Sequence, residues 1–162
     1  MDRTRRGRRR GSGGRPALAG LLGLVLTATG ACSLPRDARG ALDRATEGEL
    51  RVGVSVNPPF AFLGPDGTPG GPEARLVSDY AASIGARVDW TVGAESVLVD
   101  QVTDGRLDLV IGGLQEDTAW AGDLALTKPY DPDSEQPRVL GATPGENALL
   151  VSVERFLIEE EG

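Results

Sequence analysis

From Leu50 onward the chain alternates between two hydrophobic periods, and this restricts its fold more than any other feature. Leu50-Arg51-Val52-Gly53-Val54-Ser55 has the period of a strand. The stretch from Pro72 to Ile84 has the period of a helix. Leu76, Tyr80, Ala81 and Ile84 recur at helical spacing, Pro72 and Glu73 suit the first turn, and Gly85 suits the position just past the end. Arg87 to Val92 reads as a second strand, and Ser96 to Thr103 as a short helix with Val97, Leu98 and Val102 inward. Leu107 to Ile111, nearly all apolar, reads as a central third strand with Gly112-Gly113 at its carboxyl end. A helical turn over Glu116 to Ala121, a strand over Arg138 to Ala142 and a last helix over Glu146 to Glu159 complete the pattern. The last helix carries one apolar stripe: Leu149, Leu150, Val153, Phe156 and Leu157. Strands alternating with helices predict an α/β fold, a single three-layer lobe on a mostly parallel sheet of four to five strands.

The N-terminus has a different organisation. Seven arginines lie between Arg3 and Arg15, an apolar run of about a dozen residues follows from Ala17 to Ala28, and Thr29-Gly30-Ala31 precede Cys32. The apolar run is shorter than the roughly 20 residues a membrane span needs. The order is that of a secretion signal. Cysteine after small residues resembles a lipobox, with Thr29 where an apolar residue is usual. The expected organisation is a lipoprotein signal peptide over 1–31, a lipid-anchored flexible tether over 32–48, and one domain over 49–162. Cys32 is then the lipidation site and the protein extracytoplasmic, anchored to the cell membrane by lipid. It is the chain's single cysteine, so no intramolecular disulfide can form.

Composition narrows the chemistry. The formal charge is −7; the first 31 residues carry +6 of arginine and aspartate charge, which leaves −13 for the rest. A surface of that sign disfavours nucleic acid. The chain contains no histidine, which removes histidine acid–base catalysis, the Ser-His-Asp triad and nearly all zinc sites. No metal, no cofactor and no enzymatic activity are expected. Gly70-Gly71 and Gly112-Gly113 do not make a dinucleotide fingerprint.

Several segments, in order, carry a resemblance. Leu50-Arg51-Val52-Gly53-Val54 followed by Pro58-Pro59-Phe60, then Gly105-Arg106-Leu107-Asp108-Leu109-Val110-Ile111-Gly112-Gly113, then Leu126-Thr127-Lys128-Pro129-Tyr130, resemble the first lobe of solute-binding proteins of amino-acid-type ABC importers. Arg138-Val139-Leu140 and Gly145-Glu146-Asn147-Ala148-Leu149-Leu150 resemble that family's return to the first lobe and its closing helix. The resemblance implies a periplasmic-binding-protein-like fold. It also implies a second lobe between the outgoing and returning segments, where this chain has only Asp131 to Pro137. A first lobe alone is therefore expected.

The candidate ligand-binding residues that follow from the resemblance are Ser55, Asn57, Phe60, Glu95, Gly113, Gln115 and Trp120. Trp120 stands where the family's carboxylate-clamping arginine would be, Glu95 matches a usual aromatic, and Ser55 matches a frequent acid, so a reduced site is implied. Each residue also has a plainer reading: Phe60 as core, Glu95 as a solvated loop charge, Trp120 as a partly buried side chain. The implied partners are a small polar solute held weakly, an ABC permease or other membrane protein, and the membrane through the lipid anchor. An alternative is a protein-interaction module that docks on a membrane transporter or sensor through the surface the second lobe would cover.

Overall fold

A computed structural model describes residues 36–46 and 48–160. The expected signal and Cys32 lie outside these residues. The elements run α1 (Ala41–Thr46), β1 (Glu49–Val54), β2 (Phe62–Leu63), β3 (Pro69–Gly70), α2 (Pro72–Ser83), β4 (Arg87–Val92), α3 (Glu95–Thr103), β5 (Leu109–Gln115), β6 (Ala125–Leu126), β7 (Arg138–Ala142) and α4 (Asn147–Glu160). The main sheet has the order β4-β1-β5-β7-β6. β1 pairs in parallel with β4 and β5, while β7 is antiparallel to both its neighbours. Four of the five strands therefore point the same way. β2 and β3 form a small hairpin around the Pro65-Asp66-Gly67 turn.

Two apolar layers sandwich the sheet. On one face, Leu50, Val52, Val54, Leu109, Ile111, Leu140 and Ala142 meet α1, α2 and α4. On the other, Val110, Leu114 and Val139 meet Leu98, Val99 and Val102 of α3, together with Leu107 and Leu124. The period of two sorts residues between layers: Leu109 and Ile111 face one way and Val110 the other. The second layer comes very close to β1. A Cβ on Gly53 would lie 2.9 Å from Leu107 and 3.1 Å from Leu98, so α3 can seat there only against a glycine.

Two expectations need correction. The third strand does not stop at Ile111 but runs through Gly112-Gly113 to Gln115, with a register shift between Val110 and Leu114. The glycines, at φ 152 and 71, form a bulge inside the strand and not a loop after it.

The other correction concerns the segment expected to be a flexible tether, which is docked from Asp37 onward. Ala41 and Ala45 are buried. The Asp37 carboxylate accepts from the Leu42 amide at 2.6 Å and the Leu149 amide at 2.9 Å, joining α1 to the start of α4. Buried Glu146 accepts from the amides of Arg39 and Ala41 at 2.8 and 2.9 Å. Buried Asp108 pairs with the Arg51 guanidinium at 2.7 Å and with Arg44. Such partners need acids from distant parts of the chain, which the local polarity of residues 36–46 does not reveal. Among the described residues no helix is long and apolar enough to cross a membrane.

Candidate functional site

The carboxyl ends of β1 and β5 lie side by side, as in other α/β sheets that gather ligands at this edge. β1 leads into a tight turn in which Phe60 and Ala61 donate their amides to the Asn57 carbonyl at 3.0 and 3.2 Å. The Asn57 side chain donates to the Gly112 carbonyl at 2.8 Å, which ties this turn to the β5 bulge. A Cβ on Gly113 would sit 2.6 Å from the Phe60 ring and 2.9 Å from the Asn57 amide, so only glycine allows the contact.

The bulge turns two amides toward one buried acid. Gly112 N–H donates to Glu73 Oε2 at 2.8 Å and Gly113 N–H to the same oxygen at 2.9 Å. The Tyr130 hydroxyl donates to Oε1 at 2.7 Å. Glu73 is fully buried, and loss of solvent pushes its carboxyl above the usual range despite Tyr130, the two amides and the nearby Arg138 charge. Burial first, then the Glu73 charge, pushes the Tyr130 phenol well above its ordinary value.

Arg138, the first residue of β7, brings a cation to this edge. Its guanidinium lies 4.3 Å above the Phe60 ring, a cation–π stack, and its Nη1 donates to the Gly113 carbonyl at 2.8 Å. Nη2 donates to Gln136 Oε1 at 3.1 Å, and the same oxygen accepts from Gln115 Nε2 at 2.8 Å. Glu95, which lines the same hollow as Arg138, accepts from the Trp120 indole at 2.7 Å through Oε1.

These side chains surround an open hollow of about 260 Å³ lined by Asn57, Glu95, Gly113, Leu114, Gln115, Thr118 and Arg138. Gln115 also borders an adjoining hollow edged by Glu116, Asp117, Glu135 and Gln136. Of the residues singled out in the sequence, Asn57, Glu95, Gly113 and Gln115 come together on the first hollow. Phe60 is half-buried beneath Arg138 and belongs to its support. Trp120 touches Glu95 and does not line the hollow itself. Ser55 is turned to β5, donating its amide to the Ile111 carbonyl at 2.9 Å and packing against Gly112.

Sequence reasoning missed Glu73, Tyr130, Thr118 and Arg138. Glu73 was explained by the helix end it occupies, and nothing local tells that its side chain turns inward. Arg138 is visible as the first residue of the returning strand, but its place on the hollow follows from the pairing Gln115↔Arg138, which only the sheet register discloses. Trp120 stands where the family's arginine would be, and a guanidinium lines the hollow from another strand, that of Arg138. Among the described residues, no group of three or more histidine, cysteine or acidic side chains is placed to hold a metal ion.

A three-layer α/β lobe with a polar hollow at the carboxyl edge of its parallel strands is a periplasmic-binding-protein-like lobe. The chain belongs to the bacterial extracellular solute-binding proteins, family 3, whose family model matches residues 50–148. Membrane-bound lytic murein transglycosylase F from two strains of Vibrio cholerae serotype O1 is 30% identical over 99 residues, which are 60% of this chain and 18% of the relative's length. The chain thus spans less than a fifth of the curated relatives it matches. Among solved structures, the arginine-bound form of domain 1 from TmArgBP shares the fold with a TM-score of 0.64 and 23% identity, over 72% of this chain and 97% of that one. An ancestral cationic amino acid solute-binding protein does so with a TM-score of 0.65 and 14% identity, over 74% and 93%.

Proposed function

We propose that this protein is an extracytoplasmic solute-binding lobe that carries out no chemistry. In this reading it is tethered to the membrane through lipid on Cys32 and serves an ABC-type importer of a small polar solute. The observation that carries the solute reading is the pair of opposite charges on one hollow. Arg138 lies along the Phe60 ring on one wall and Glu95 is held by Trp120 on another, which suits a small solute bearing both signs. That the lone domain 1 of TmArgBP has an arginine-bound form supports the idea that one lobe can hold a ligand. Family membership supports the extracytoplasmic location.

A single lobe leaves its ligand open to water, where charge pairs weaken. Titrating the full chain with the standard amino acids should therefore give saturable but only millimolar binding, read by NMR at the Gly113 and Gln115 amides. Arg138→Gln should abolish it. Amino acids that leave these signals unmoved in the wild type would refute the solute reading.

Cys32→Ser should leave the protein unlipidated and release it from the membrane fraction. Wild-type protein recovered soluble with a free thiol at Cys32 would refute the anchor. A second reading, docking on a membrane protein, draws support from the exposed apolar side chains Val56, Phe62, Leu63, Val92 and Val97. A titration without solute binding would leave it the better of the two.

A further inference from the structure

The geometry points to an oxyanion subsite formed by Arg138 Nη2 and Gln115 Nε2 that the protein closes with its own Gln136. The inference rests on the solute-binding reading above. Two donors from separate strands, one charged and one neutral, converge on a single oxygen, Gln136 Oε1, at 3.1 and 2.8 Å. Convergence of a guanidinium and a carboxamide on one acceptor is how a carboxylate or another small oxyanion is held. Here that oxygen comes from the carboxamide of a residue in the short Asp131–Pro137 link.

Arg138 is held in place and the strand sets the Gln115 backbone, whereas the acceptor is exposed. Arg138 is held by its stack on Phe60, by its bond to the Gly113 carbonyl and by its amide on Asp131. Gln115 ends the central strand and pairs with Arg138 in the sheet. Gln136, by contrast, is exposed and lies in a link that folds back on itself, with Ser134 N–H on the Asp131 carbonyl at 3.0 Å and Ser134 Oγ near the Gln136 carbonyl at 3.3 Å. A neutral amide oxygen is also a weaker acceptor for a guanidinium than a carboxylate is. Gln136 therefore acts as a displaceable plug: an incoming carboxylate takes over both donors while the Gln136 side chain swings into water. The link that joins β6 to β7 thus sets how readily these two donors come free; Gln136 itself borders the adjoining hollow, beside Glu116, Asp117 and Glu135, and not the one that Arg138 lines.

The test uses the full chain, with acetate as the simplest carboxylate and glycine as the simplest zwitterion. Binding is followed by NMR at the side-chain amide of Gln115, the Nε–H of Arg138 and the Gly113 amide. Gln136→Ala removes the competing oxygen and should tighten both probes by about 2- to 10-fold, the range spanned by the net worth of one or two exposed hydrogen bonds. Gln136→Glu puts a carboxylate on the same side chain, at the same length, and should weaken both probes at least as much. Opposite shifts from these two variants would not arise from a loss of folding. Equal affinities in wild type and Gln136→Ala, or tighter binding by Gln136→Glu, would overturn the plug and leave the solute reading in place. Binding of glycine that moves other residues but not Gln115 and Arg138 would overturn the subsite alone. No response of any protein to either probe would overturn both.

Discussion

Cut after Gly141, the chain is expected to lose its cooperative melting transition altogether. α4 contributes three fully buried side chains, Leu149, Val153 and Leu157, and packs Leu150 and Phe156 in part against the same core. Each complete burial is worth about 1.5–3 kcal/mol, so three of them rival the whole net stability of an ordinary domain, about 5–15 kcal/mol. The cut also strands groups that remain. Tyr80, buried against the Phe156 ring at 5.7 Å, would lose that contact and the Ser152 hydroxyl it donates to at 3.0 Å. Asp37 would lose the Leu149 amide, and the amides of Arg39 and Ala41 would lose Glu146. Calorimetry or circular dichroism checks this directly. A cooperative transition at the full-length temperature would show that the other helices cover the sheet unaided.

Replacing Glu73 should have the next largest effect. Glu73→Ala leaves the Gly112 and Gly113 amides and the Tyr130 hydroxyl facing an apolar gap. At about 1–3 kcal/mol for each buried group left unpaired, a loss of roughly 3 kcal/mol or more is expected, visible as a melting temperature lowered by on the order of 10 °C. The β5 bulge would relax with it, so solute binding should fall as well.

Glu73→Gln, which keeps an acceptor but does not titrate, isolates the charge. Burial raises the native carboxyl above its ordinary 4.5, so the folded protein holds this proton to higher pH than the unfolded chain does. The stability this group supplies is complete below 4.5 and is lost as pH rises through the native value. Denaturant melts across the acid-to-neutral range should therefore show wild type losing stability relative to Glu73→Gln as pH increases. A difference that is flat, or that grows in favour of wild type, would mean that the three donors outweigh the desolvation.

The contrast between Leu149 and Arg138 shows what was legible in the sequence. Leu149, Val153 and Leu157 announce their burial through spacing alone, because a helix maps sequence period onto one face. The strands over Arg87–Val92 and Arg138–Ala142 are equally plain from their composition. Asn57, Glu95, Gly113 and Gln115 were within reach because the family resemblance marks their positions, and the structure brings all four to one hollow. Arg138 reaches the same edge from the start of an antiparallel strand, and that is a property of pairing, not of local pattern. Glu73 and Asp108 are acids in an acidic chain. Their burial depends on amide, hydroxyl and guanidinium groups 39 to 64 residues away, which no window of neighbours contains. The docking of Asp37 to Glu146 was hidden for the same reason: its stabilising contacts lie over 100 residues downstream.

That docking gives the molecule a direction. Asp37, Glu146 and Asp108 gather where β5 begins, since Leu109 pairs with Ala142 there, whereas Asn57, Gly113 and Gln115 gather where it ends. The seven residues of β5, at about 3.3 Å each, set these two edges some 20 Å apart. The chain thus joins the lobe at the edge away from the hollow, through a clasp of carboxylates and amides. A change in that clasp has the length of the sheet between it and Asn57, Gly113 and Gln115.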